Sequence, residues 1–168
     1  LSDALALEAC DAVEVWNQVA ATDNDRGDSW YMSDLLSSRG VRLGSYAADD
    51  AHFRNGRDDR KAWVNVRSTS LAPESLLAAL KAGHYYSSQG PLIEDLQIAG
   101  MTLNVKCTPA EAIFATGRGP VTDPRWGSGL VDASFNLERF AGSYVRITIL
   151  DAAGKRAWTN PIWLDSAR

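Results

Sequence analysis

The sequence predicts an α/β segment followed by an all-β segment. Helix and strand signals alternate up to about residue 88, and six short β-favouring runs separated by turn signals follow from residue 89. Strand, helix, strand, helix is the grammar of a layered α/β unit with parallel strands. Six turn-punctuated strands predict an antiparallel β-sandwich-like unit or small barrel. The change falls in Tyr86-Ser87-Ser88-Gln89-Gly90-Pro91, which divides the chain into 1–88 and 89–168.

Leu1, Leu5 and Leu7 mark the end of a helix over Ser2 to Ala9, and Ala12 to Trp16 (AVEVW) is a β-favouring run. Trp30, Leu35 and Leu36 form a helical stripe between Ser29 and Arg39, which Gly40 is placed to stop. Val41 to Ala48 reads as a buried strand. Pro73 suits the first turn of a helix whose apolar face is Leu76, Leu77 and Leu80, with Gly83 as its end. The later strands are expected at Leu92 to Ile98, Met101 to Cys107, Ala112 to Thr116, Val131 to Leu137, Tyr144 to Leu150 and Arg156 to Leu164. Thr108-Pro109 and the glycine-bearing stretch from Gly117 to Gly129 read as breaks between them. Asp151 to Lys155 predicts a tight hairpin with Gly154 left-handed.

Composition narrows the function classes. A chain of 168 residues with 45% hydrophobic and 23% charged residues has the balance of an ordinary globular protein. A net charge of −4 gives no electrostatic basis for binding nucleic acid or an anionic membrane, and no apolar run is long enough for a spanning helix. No secretory signal or transit peptide is visible; the opening on Leu1 in place of methionine suggests a processed chain or a piece of a longer one. Cys10 and Cys107 are read as a cytosolic pair of buried thiols, a cytoplasmic setting being favoured on that ground, and a disulfide between them stays open. Neither has the CxxC spacing of a zinc site.

Metal chemistry rests on the histidines, of which there are two, His52 and His84. His52 lies in Asp49-Asp50-Ala51-His52-Phe53, directly after a predicted strand. On an extended segment residues two apart share a side, so Asp50 and His52 can converge on one cation, with Asp49 and Glu14 as weaker candidates. Carboxylate oxygen and imidazole nitrogen suit zinc, manganese or iron, and α/β architectures build their sites at the C-terminal ends of strands. Alone, Asp-x-His is a short pattern that a solvated loop also produces. Asn17, at the end of AVEVW, is a candidate substrate contact or a helix cap. Arg54 and Arg57 are candidate phosphate contacts or members of a charged surface loop. His84 follows a helix end and reads as structural. Ser87, Ser88 and Gln89 read as a turn between the two units. The tryptophans, Trp158 and Trp163 among them, read as core rather than as a sugar platform.

The run Val13-Glu14-Val15-Trp16-Asn17, the helix ending at Arg39-Gly40, Asp50-Ala51-His52-Phe53 and Ala62-Trp63-Val64 form an ordered series. It continues through Leu80-Lys81-Ala82-Gly83, Tyr85-Tyr86-Ser87-Ser88-Gln89-Gly90-Pro91, Tyr144-Val145-Arg146 and Ala157-Trp158-Thr159-Asn160-Pro161-Ile162. In order and spacing this series resembles the C-terminal part of the PHP (polymerase and histidinol phosphatase) superfamily, in its CehA/McbA-like metallohydrolase branch. The resemblance implies the C-terminal remnant of a distorted (β/α) barrel plus a small antiparallel β-domain, and hydrolysis at a cluster of two or three divalent metal ions. It places the family's last metal-binding motif on Asp50 and His52. The family's His-x-His pair, bridging acid and intermediate histidines fall upstream of Leu1.

The expected function is therefore the C-terminal portion of a metal-dependent hydrolase of small phosphoesters or related esters, inactive by itself. A non-catalytic β-rich binding or assembly module is the alternative. An incomplete barrel exposes apolar surface, so a homo-oligomer or a complementary N-terminal half is the expected partner.

Overall fold

The computed structural model describes residues 2–6, 10–53 and 56–164. It is mostly β, with 45% strand and 20% helix, and its dominant feature is a curled antiparallel sheet with the form of a half-barrel.

The first part holds α1 (Ser2–Leu5), β1 (Ala12–Asn17), α2 (Gln18–Asn24), α3 (Trp30–Ser38) and β2 (Gly44–Ala48). β1 and β2 pair in parallel, Ala12 opposite Gly44 and Asn17 opposite Ala48, with a bulge between Glu14 and Trp16. α2, not foreseen from the sequence, starts because the Asn17 side chain caps it, Oδ1 accepting from Ala20 N at 2.8 Å. α3 ends as expected. Gly40 takes φ 83 and Val41 N–H donates to the Leu36 carbonyl at 3.1 Å, closing the last turn. A Cβ at Gly44 would lie 2.3 Å from the Tyr85 hydroxyl, so a larger residue there requires the Tyr85 side chain to move.

β3 (Trp63–Val66), α4 (Pro73–Lys81) and β4 (Tyr85–Ser88) follow. Pro73 opens α4, and Gly83 at φ 72 ends it with His84 N–H on the Ala79 carbonyl at 2.9 Å. The expected apolar face of α4 packs less than its leucines suggested: Ala79 is buried, whereas Leu77 and Leu80 are exposed. Ser87 and Ser88, expected in a turn with Gln89, belong to the strand Tyr85–Ser88, because β4 fills the place between β3 and a later strand.

Next come β5 (Ile93–Ala99), β6 (Thr102–Gly117), β7 (Thr122–Asn136), a 3-10 turn (Glu138–Phe140), β8 (Tyr144–Leu150), β9 (Arg156–Thr159) and β10 (Ile162–Trp163). The eight-stranded sheet runs β3-β4-β9-β8-β6-β5, with β7 on β6 and β10 on β8. Strands from both sides of residue 88 thus share one sheet.

Two expected breaks are strands. β6 passes through Pro109 in one 16-residue run, with the pairing to β7 shifting between Lys106 and Ala110. A proline is tolerated in a strand at such an irregularity, where no ladder donor is required. The Gly117–Gly129 stretch is a short turn followed by the first half of β7. Ala110 pairs with Leu130 and Ala112 with Trp126, so the intervening residues bulge, and Gly129 supplies φ 70. The Asp151–Lys155 hairpin forms as predicted, with Gly154 at φ 77.

The main core lies on the sheet's inner face and includes Leu103, Val105, Ile113, Phe135, Phe140, Ile147 and Ile149. A smaller core of Val15, Trp30, Ala47, Ala62 and Trp158 joins the parallel pair to the sheet. In it the Trp158 ring lies 6.3 Å from that of Trp16 and 6.0 Å from that of Trp30. Trp158 is core, as expected, and Trp163 packs its ring against Tyr144 at 5.6 Å. Trp126 is 67% exposed. The cysteines differ from the expected buried pair: both are free thiols, and Cys10, ahead of β1, is exposed while Cys107 is buried.

Candidate metal corner at the end of the parallel pair

β1 and β2 end side by side at Asn17 and Ala48, and the residues beyond them form the candidate site. β2 stops before Asp50, whose φ of 54 places it in the left-handed region, so the segment to His52 is not extended. Aspartate enters that region more readily than most residues because its short polar side chain can bond locally. The turn still brings the two side chains together. His52 Nε2 lies 3.8 Å from Asp50 Oδ1, with the side chains 48% and 51% exposed. Convergence therefore comes from a turn, where strand alternation was expected to provide it.

Asn17 ties this corner to β1. While its oxygen caps α2, its Nδ2 donates to Glu14 Oε2 at 3.2 Å and to Asp50 Oδ2 at 3.3 Å. Both amide atoms are thus engaged within the chain, and they set the positions of Glu14 and Asp50. Glu14 also faces Tyr46 across the strand pair, and partial burial, followed by the Glu14 charge, raises the Tyr46 phenol above its ordinary range.

Asp49, a weaker ligand candidate, has another role. Its Oδ1 accepts from Lys61 N at 2.8 Å and Ala62 N at 2.7 Å, and its Oδ2 accepts from Arg60 N at 2.5 Å. A carboxylate holding three backbone N–H groups ties the Arg60–Ala62 backbone to the end of β2 and leaves little for a cation. Asp58, buried at 4% exposure, accepts from His52 N at 2.7 Å and holds the histidine's backbone. Nothing in the spacing of these acids marks which bind backbone and which face outward, since that depends on how the loop folds back. Arg57 is exposed, and Arg54 lies outside the described residues. His84 follows α4, where its N–H serves the helix end, and it lines a cavity whose walls include neither Asp50 nor His52.

The donor chemistry fits a metal in part. Two donors at metal–ligand distances near 2.1 Å on one tetrahedral ion sit about 3.4 Å apart, close to the separation of Asp50 and His52. Among the described residues no group of three or more His, Cys, Asp or Glu side chains is placed to hold an ion. Asp50 and His52 are thus two neighbouring donors, with Asn17 Nδ2 bonded to Asp50.

The scaffold under the corner is stitched by polar side chains. Ser87 Oγ accepts from Ala47 N at 2.9 Å and donates to the Ser45 carbonyl at 3.1 Å. Asn160 Oδ1 accepts from Ser45 N at 2.7 Å, and its Nδ2 donates to the Gly83 and Tyr85 carbonyls, each at 3.0 Å. These bonds close the free edge of β2 against the large sheet. The other edge, that of β1, is closed by Ser29 N–H on Val15 O and by Asn17 N–H on Gly27 O. Arg146 of β8 grips Asp34 of α3 through Nε at 2.9 Å and Nη2 at 2.7 Å while lying over the Trp30 ring at 4.2 Å. No family model, curated protein or solved structure matches this chain.

Proposed function

We propose that the chain is the C-terminal portion of a PHP-type metal-dependent hydrolase of small phosphoesters, in which Asp50 and His52 form one corner of the metal cluster. The observation that carries this reading is the 3.8 Å approach of Asp50 Oδ1 to His52 Nε2 beyond the C-terminal ends of two parallel strands. The distorted (β/α)-barrel remnant is then the β1-α3-β2 layer, followed by the β-rich unit. Zinc, manganese or iron bound there would lower the pKa of a bound water and neutralise charge on the leaving oxygen. Asp50 and His52 would hold the ion, Asn17 would keep Asp50 oriented, and Asp58 would fix the His52 backbone. The remaining ligands would come from a complementary segment or a second copy, packing over exposed apolar residues such as Leu77 and Leu80 of α4.

Two arms test the proposal. Titration with zinc or manganese should show weak binding by the chain that His52→Ala abolishes, since even residues behind the ligands are worth roughly 10–100-fold in affinity. Equal binding by both proteins discards the ligand assignment. The chain alone should hydrolyse an aryl phosphate negligibly; robust turnover lost in Asp50→Ala would show that a complete site is already present.

The second reading, a non-catalytic binding module, is favoured by a separate cavity in the curled sheet of about 550 Å³. It predicts that Asp50→Ala and His52→Ala leave ligand binding unchanged.

A further inference from the structure

That cavity shares no lining residue with the Asp50–His52 corner. It lies where β3 and β4, at one end of the sheet path, come opposite β5, at the other. A sheet that curls without closing leaves such a gap between its first and last strands, and its volume falls within the range of about 300–1,000 Å³ usual for small-molecule sites.

The walls differ in chemistry. On the β3–β4 side stand Arg67 and His84, their segments joined by Arg67 N–H on the His84 carbonyl at 2.8 Å. On the β5 side stand Glu94 and Asp95, and Asp95 Oδ2 already accepts from Gln97 Nε2 at 2.7 Å. No ion pair joins Arg67 or Glu94 to a partner among the described residues. Leu96 and Ile162 line the cavity with apolar surface, and Asn65 contributes a side chain whose Nδ2 is buried without a hydrogen-bond partner. A buried donor of that kind is costly unless something accepts from it, and a half-turn of an amide exchanges its donor and its acceptor.

We propose that this cavity binds a short zwitterionic peptide, with the carboxylate at Arg67 and His84, the ammonium at Glu94 and an aliphatic side chain against Leu96 and Ile162. The charge arrangement selects the class. A simple anion entering the gap meets Glu94 and a simple cation meets Arg67, whereas a ligand carrying both signs is complementary to both walls. A peptide also brings a carbonyl and an N–H for the Asn65 amide, and two residues fill the volume better than one free amino acid. The inference stands apart from the metal reading.

Calorimetric titration with three probes tests it: leucyl-leucine, its N-acetyl form lacking the ammonium, and its C-terminal amide lacking the carboxylate. Leucyl-leucine should bind saturably and each capped form at least about tenfold more weakly. Arg67→Gln should erase the discrimination against the amide, and Glu94→Gln the discrimination against the acetyl form. Both side chains are exposed, so the variants should keep the parent's melting temperature. His52→Ala should leave all three titrations unchanged. No saturable binding of leucyl-leucine up to about 10 mM, a range typical of weak ligands, overturns the proposal. So does equal binding of the capped forms, or discrimination that survives both substitutions.

Discussion

Adjacent aspartates carry opposite tasks in this chain. Asp49 turns inward to three backbone amides, and Asp50 turns outward beside His52. Asp49→Ala should therefore lower stability by about 2–3 kcal/mol, as hydrogen bonds to a charged acceptor are lost. Asp50→Ala, at a half-exposed position, should change it by less than about 0.5 kcal/mol. Urea unfolding of the two variants measures the contrast, and similar losses in both would contradict these roles. The cysteines give a second contrast. Burial, with Glu94 and Asp132 nearby, pushes the Cys107 thiol up to about 11, so it stays protonated and unreactive at neutral pH. An aromatic disulfide reagent at pH 8 should titrate one thiol, Cys10, in the native chain and two after denaturation. Because the Cys107 pKa is raised on folding, its contribution to stability is full below the unfolded value near 9. That contribution is lost as pH rises through about 11.

Among the elements, β2 shows how a short parallel pair is held without a third strand. Its outer edge is satisfied by two side chains, Ser87 from β4 and Asn160 beyond β9. Removing Ser87 Oγ strands an amide and a carbonyl in a site where Ser45, Ala47 and Ser87 are all buried. Ser87→Ala should cost about 1–3 kcal/mol, and Asn160→Ala, which frees three backbone groups, more. Hydrogen exchange should locate the loss: the Ser45 and Ala47 amides should exchange faster in the corresponding variants, while amides of β6 keep their protection. Uniform acceleration across both sheets would show that the stitches are not local to β2.

For the molecule as a whole, the junction between layers is the Trp16, Trp30 and Trp158 cluster with the Arg146–Asp34 pair beside it. Since β3 and β4 belong to the large sheet and Trp158 reaches into the parallel pair, the chain should unfold in a single transition. Circular dichroism at far- and near-ultraviolet wavelengths should give coincident melts. Two separated transitions would show that the units on either side of residue 88 are independent. Trp158→Ala, at a site 2% exposed, should cost about 3–5 kcal/mol and weaken the coupling.

Local chemistry alone accounts for much of the fold. The strand at Ala12–Asn17, the helices stopped by Gly40 and Gly83 and the Gly154 hairpin are all visible in hydrophobic period and left-handed glycine positions, which need no distant partner. The antiparallel character after residue 89 is equally visible in the spacing of turns. Other features depend on contacts across the chain. Pro109 and the glycines at 127 and 129 mimic loop signals, but pairing with neighbouring strands carries β6 and β7 through them as bulges. Tyr86-Ser87-Ser88 resembles the start of a linker until β3 and β9 take it as part of a strand between them. At the site, Asp50 and His52 stood out as neighbours with ligand chemistry. The division of labour among Glu14, Asn17, Asp49 and Asp58 was decided only when the loop folded back and its backbone amides chose their carboxylates, because an acid's role is set by the donors that reach it.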